Sequence, residues 1–181
     1  MLELHVRLQR IFLKRYLVVV NKKIRNATQS NLGKITFKSQ LEKGIYNTLL
    51  QQGFEPQYEP TTFTLWEGFQ PITPYYDKET SKQHESRLAE GENNCPSKIL
   101  IQKTGRIIGI RYTPDFYFKY NDINVYIEAK GVENDVFYIK KKMFIKYLDN
   151  QFLEKGERSL YFEVYTKRQL LQAIEIIKSY E

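Results

Sequence analysis

The chain has 181 residues, so one domain is expected, and it is long enough to bury a substantial core. Its 28 Lys and Arg against 21 Asp and Glu give a formal charge of +7, a balance that favours a polyanionic partner. A lone cysteine, Cys95, excludes an internal disulfide framework and fits a reducing cytosol, only His5 and His84 are available to assist a thiol or share a zinc ion, and no run approaches the ~20 apolar residues of a membrane span.

The first 30 residues are apolar and basic together, with Arg7, Arg10, Lys14, Arg15, Lys22, Lys23 and Arg25 against Glu3. A strand or a short helix pair is expected there, as an N-terminal arm over 1–35. The arm could cover a sheet edge, contact DNA or serve dimerisation. Ile11-Phe12-Leu13 and Leu17-Val18-Val19-Val20 are separated by Lys14-Arg15, and no small-residue cleavage site follows. Neither a signal peptide nor a transmembrane helix is expected.

Ser39 to Gln52 reads as a helix, with Leu41, Ile45, Thr48 and Leu49 on its apolar stripe and Gly53 closing it. Ser39 and Glu42 form the Ser-x-x-Glu pattern of a capping box, which gives Glu42 a purely structural role as an alternative to any chemical one. Phe54 to Trp66 reads as a strand weakened by Pro56 and Pro60, an edge or a bulge, with Trp66 more suited to packing than to base stacking. Residues 67–105 read as a polar insertion. A flexible flap is expected, with a short helix near 78–90 and a loop at Gly91-Glu92-Asn93-Asn94.

From Ile108 to Lys119 apolar and polar residues alternate, the period of a half-buried strand. Tyr120-Asn121-Asp122 supplies a turn. Ile123, Val125, Ile127 and Ala129 then make the apolar face of a second strand, with Asn124, Tyr126, Glu128 and Lys130 on the other. Residues 134–154 read as a helix with a broad apolar face (Val136, Phe137, Ile139, Met143, Phe144, Tyr147, Leu148). Lys140, Lys141, Lys142 and Lys146 form a basic stripe on it, either a plain solvated face or, placed directly after the Glu128–Lys130 strand, a surface for phosphate contacts. A strand over Ser159 to Tyr165 follows. Thr166 and Gln169 then cap a last helix with Leu170, Ala173, Ile174 and Ile177 inward.

Glu128 and Lys130 are two apart on a strand and leave from one face. If the neighbouring strand pairs with theirs, Asp115 joins them. Two carboxylates suit a hard divalent cation such as Mg²⁺, and a lysine beside them can orient water or stabilise charge on a phosphate. A solvated pair on an exposed sheet face is the plain alternative.

Pro114-Asp115 followed by Glu128-Ala129-Lys130 resembles the motif of the PD-(D/E)xK nuclease superfamily. Phe37-Lys38-Ser39-Gln40-Leu41-Glu42, Gly53-Phe54-Glu55, Tyr58-Glu59, Tyr112-Thr113-Pro114-Asp115-Phe116 and Glu128-Ala129-Lys130-Gly131 together look like the phage endonuclease I family of Holliday-junction resolvases. The likeness runs from about 37 to 131 and is interrupted by the insertion. It implies an α/β, restriction-endonuclease-like fold with a mixed central sheet flanked by helices. It implies an endodeoxyribonuclease that uses Mg²⁺, with Mn²⁺ able to substitute. The catalytic residues would be Glu42, Asp115, Glu128 and Lys130. The metal would be held by Asp115, Glu128, the carbonyl of Ala129 and, on the outer side, Glu42. Branched or duplex DNA as partner, a homodimer and the cytoplasm of a bacterium or phage-infected cell are also implied. A restriction- or transposon-end-type endonuclease on linear duplex, a non-catalytic DNA-binding protein on a nuclease-like fold, and a structural phage or plasmid protein are the alternatives.

Overall fold

The computed structural model describes residues 29–33, 35–91, 96–131 and 135–180. Of the strand or helix pair expected over 1–30, residues 1–28 lie outside these, as do Cys95 and most of the loop expected at 91–94.

A four-stranded mixed sheet organises the chain. Its strands are Gln57–Tyr58 (β3), Phe116–Tyr120 (β8), Ile123–Ala129 (β9) and Ser159–Val164 (β10), in the order β10-β9-β8-β3. β8 and β9 form an antiparallel hairpin, with Phe116 opposite Ile127 and Tyr120 opposite Ile123. Asn121 makes the tight turn with a φ of 51°, the left-handed conformation that asparagine tolerates better than most residues. β10 runs parallel to β9, Val164 opposite Ala129. The long crossover that a parallel pair needs is the helix Asp135–Lys155 (α3).

Helices cover both faces. Helices Gln40–Gln51 (α1) and Lys167–Lys178 (α4) pack on one side, where Phe37, Ile45, Leu49, Phe116, Phe118, Val125, Ile127, Val164, Leu170, Ile174 and Ile177 form the larger core. On the other side α3 packs with Phe63–Trp66 (β4) and Ile110–Tyr112 (β7) around Tyr112, Tyr126, Phe137, Phe144 and Leu148. Successive residues of a strand face opposite ways. Val125 and Ile127 therefore feed the first core while Tyr126 feeds the second. The second core is aromatic: the Phe144 ring lies 4.8 Å from Tyr112, 5.1 Å from Phe63 and 5.3 Å from Tyr126.

Local chemistry explains the helix ends. Ser39 caps α1, its Oγ accepting from the Glu42 N–H at 3.2 Å. At the other end Gly53 takes a φ of +84°; its N–H donates to Leu50 O and that of Phe54 to Leu49 O, a Schellman closure sealed by Phe54 and Leu49 in the same core. Thr166 and Gln169 make the expected capping box on α4.

Four expectations need correction. The strand expected over 108–119 is two strands. β7 pairs with β4, Thr113-Pro114-Asp115 breaks the run, and β8 pairs with β9. Pro114 has no N–H to continue a ladder, yet its burial keeps the period-2 pattern intact. The strand expected over 54–66 is likewise two, β3 and β4, with an irregular register between Thr64 and Trp66. The insertion is no plain flap. Tyr75–Lys78 (β5) pairs antiparallel with Leu100–Lys103 (β6), and the helix Ser81–Ala89 (α2) lies between them. At its base Gly68 and Gly109 approach so closely that a Cβ on Gly109 would sit 2.5 Å from the Trp66 carbonyl oxygen. Finally, α3 buries Phe137, Phe144 and Leu148, whereas Val136 and Ile139 are 61% and 56% exposed. The expected apolar face was too broad. Ser30–Leu32 (β1) and Ile35–Phe37 (β2) form a separate hairpin leading into α1. No helix among the described residues is long and apolar enough to cross a membrane.

Candidate active site

Glu42, Asp115, Glu128, Ala129 and Lys130 line one cleft of about 770 Å³. The capped start of α1, the β7–β8 break, the end of β9 and the start of α3 bring them there. Each comes from a place where an element begins or stops, so its side chain meets solvent-accessible space although its backbone is fixed. Lys38, Arg111 and Lys140 line the same cleft and give it a cationic margin.

Asp115 precedes β8 and its Oδ2 accepts the Ala129 N–H at 2.7 Å. Its own carbonyl accepts the Glu59 N–H at 2.8 Å, and Glu59 takes a φ of +44°, an uncommon conformation for a residue with a side chain. Burial, then the charge of Glu128, push the Asp115 carboxyl up to about 8, against the lowering effect of the Ala129 N–H and Lys130. Lys130 offsets part of the repulsion between the two carboxylates, and a proton on Asp115 offsets more.

Glu128 is 4% exposed. Its Oε1 pairs with Lys130 Nζ at 2.5 Å, and its Oε2 accepts the Tyr112 hydroxyl at 2.6 Å. Tyr161 Oη stands 3.2 Å from Tyr112 Oη, which extends the chain of hydroxyls away from the cleft. The expected polar face of β9 is thus covered: α3 and the β4–β7 pair lie over it. Lys130 Nζ also sits 3.7 Å above the Phe137 ring centroid, a second perch for its charge.

Glu42 is 7% exposed and its carboxylate accepts three hydrogen bonds: the Lys38 N–H at 3.0 Å, Ser39 Oγ–H at 2.8 Å and the Tyr58 hydroxyl at 2.6 Å. The capping role is therefore real, with the reciprocal bond shifted from the Ser39 amide to that of Lys38. Its carboxylate lines the cleft as well, so the two roles share one group. Lys38 Nζ pairs with Glu59 beside it. Burial and the facing carboxylates push the hydroxyls of Tyr58 and Tyr112 well above the usual tyrosine range, so both remain donors.

As the side chains stand, no three His, Cys, Asp or Glu among the described residues are grouped to hold a metal ion. Asp115 and Glu128 nonetheless offer hard oxygen donors whose mutual repulsion a divalent cation would relieve, and each carboxylate oxygen has a second lone pair beyond its present bond. Asp115 and Glu128 are the residues that could hold such an ion, and Lys130, now on Glu128 Oε1, is the group that would have to yield.

The four candidate lysines of α3 separate. Lys140 lines the cleft, Lys141 Nζ lies 2.8 Å from Glu163 Oε1, Lys142 Nζ stands 4.7 Å from the Tyr138 ring centroid, and Lys146 is exposed away from the cleft lining. Sequence reasoning gave no role to Tyr58, Tyr112 or Arg111. The tyrosines sit in strand patterns indistinguishable from core aromatics, and their carboxylate partners are 16 residues away in sequence. Comparison with family models, with curated proteins and with solved structures finds no match. The class defined here is a mixed α/β protein with a helix-flanked mixed sheet and a carboxylate- and lysine-lined cleft among the described residues.

Proposed function

We propose that this chain is a divalent-metal-dependent endodeoxyribonuclease, selective for branched DNA such as a four-way junction, on a restriction-endonuclease-like fold. The observation that carries the reading is the convergence of Glu42, Asp115, Glu128, Ala129 and Lys130 on a single cleft from three separate stretches of sequence. The element order supports it too: a capped helix, a hairpin ending in Glu-Ala-Lys, a crossover helix and a parallel strand.

Asp115 and Glu128 would hold Mg²⁺ or Mn²⁺, with the Ala129 carbonyl and Glu42 completing the surroundings. The ion would acidify a bound water and neutralise charge in the in-line transition state. Lys130 orients the attacking water and the scissile phosphate, as an ammonium with three donors can. Lys38, Arg111 and Lys140 draw the DNA backbone to the rim. Resolving a junction takes two cuts on opposite strands, so a twofold dimer with two such clefts is the matching assembly.

The test is incubation with a four-way junction and a matched linear duplex, with Mg²⁺ or a chelator, together with light scattering. Metal-dependent cuts by a dimer support the full reading. Cuts on linear duplex alone by a monomer keep the chemistry and remove junction selectivity.

A further inference from the structure

Two of the cleft's carboxylates are each met by a tyrosine hydroxyl in the same way. Tyr58 Oη donates to Glu42 Oε2 and Tyr112 Oη donates to Glu128 Oε2, each at 2.6 Å. Each tyrosine is itself anchored by aromatic packing: Tyr58 lies 4.8 Å from Phe37 and 5.6 Å from Phe116, and Tyr112 lies 4.8 Å from Phe144. The two come from opposite faces of the sheet, one belonging to each core.

We propose that Tyr58 and Tyr112 are positioning residues that fix the Glu42 and Glu128 carboxylates in the orientation a divalent cation requires. The inference rests on the metal-dependent reading above. A glutamate has three side-chain torsions, and ordering them costs on the order of 1.5 kcal/mol. An unanchored carboxylate meets that cost when the ion arrives. A hydroxyl set in a rigid aromatic core meets it during folding and holds Oε2; an ion would then meet Oε1, which Lys130 holds at Glu128 and the rotatable Ser39 hydroxyl holds at Glu42. Tyr161, 3.2 Å behind Tyr112, extends this support by one more hydroxyl. Burial of the carboxylates alone does not require this pairing. Glu128 already has Lys130 on Oε1, and Glu42 already has the Lys38 amide and Ser39.

Calorimetric titration of the full chain with Mn²⁺, without DNA, tests this. The variants are Tyr58→Phe, Tyr112→Phe and, as a control, Tyr126→Phe. Tyr126 is buried in the same aromatic core and makes ring contacts to Phe63, Tyr117 and Phe144. The expected result is about tenfold weaker Mn²⁺ binding for each of the first two, with melting temperatures near wild type, and unchanged binding for Tyr126→Phe. In a Glu42→Gln background the Tyr58→Phe change should add no further loss, since the carboxylate it orients is gone. Should Tyr112→Phe fail to fold, the half-buried Tyr58 decides the matter alone. Wild-type affinity in a folded Tyr58→Phe overturns the inference and leaves the metal site standing. A wild-type chain that binds no Mn²⁺ overturns both.

Discussion

The Ala129 N–H and Asp115 Oδ2 are bonded at 2.7 Å across the open end of the β8–β9 hairpin. This contact locks the Pro-Asp half of the site to the Glu-Ala-Lys half. It depends on register: Phe116 opposite Ile127 puts Asp115 beside Glu128, and a slip of one residue would turn Glu128 to the other face. The loop between the halves is set by two turn residues, Asn121 and Asp122, which is why distant letters in the sequence form one site.

Asp115 carries a pH signature. Burial and the neighbouring Glu128 charge push its carboxyl up from the ordinary 3.8 to about 8, so the protonated form favours folding. The stabilisation is fully present below the unfolded value and is lost as pH rises through the folded one. Metal-free protein should therefore lose stability from Asp115 as pH rises from about 4 to about 8, and Asp115→Asn should melt higher than wild type at pH 9. Divalent-ion affinity of the wild type should rise over the same window, because the ion competes with that proton. Thermal melts at pH 5 and pH 9, with chelator and with Mn²⁺, check both. A wild type unaffected by pH while Asp115→Asn is destabilised at pH 9 would show the carboxylate to be well solvated.

Phe144 holds the second core. It is fully buried among Phe63, Tyr112, Tyr126, Tyr147 and Tyr161. Phe144→Ala should cost about 3–5 kcal/mol in chemical denaturation. Tyr138→Ala on the same helix, at a position 48% exposed, should cost about 1 kcal/mol or less.

Backbone closeness at the insertion base predicts a sharp contrast between glycines. Gly109→Ala places a Cβ 2.5 Å from Trp66 O and 2.8 Å from Gly68 N, both backbone atoms, so the β4–β7 junction has to shift. A loss of about 1–3 kcal/mol and faster protease cutting within 67–107 are expected. Gly105→Ala meets open space and should leave both unchanged.

The cationic rim should be unequal. Lys140→Ala and Arg111→Ala should each weaken DNA binding and lower the salt slope by about 1, since each removes a charge at the cleft. Lys146→Ala lies away from the cleft lining and should matter less. Filter or fluorescence binding across a salt series reads the difference. Equal effects from all three would move the DNA path onto the outer face of α3.

Where one local rule governs a segment, the sequence was readable. The stripe Leu170, Ala173, Ile174 and Ile177 is buried as its spacing implies, and Ser39, Gly53 and Thr166 do at the helix ends what their chemistry favours. The hairpin that joins Asp115 to Glu128 followed from alternation and Asn121-Asp122. What failed depended on distant partners. Thr113-Pro114 preserves alternation while the strand changes partner, so periodicity could not reveal the break. Alternation put Tyr126 and Glu128 on the second face of β9, but it could not show that α3 buries that face, because α3 comes later in the chain. Val136 and Ile139 looked inward because a helical period is tolerant of extra apolar residues. The tyrosines that hold Glu42 and Glu128 carry no local mark at all.

The most direct test of the central claim is cleavage of a labelled four-way junction by the wild type, Asp115→Ala and Glu128→Ala, with Mg²⁺ and with chelator. Cuts by the wild type that need Mg²⁺ are predicted. Both variants should lose them while binding the junction as tightly as the wild type, since neither change removes a cation from the rim. Cleavage at the wild-type rate in Asp115→Ala, or by the wild type in chelator, would contradict the account.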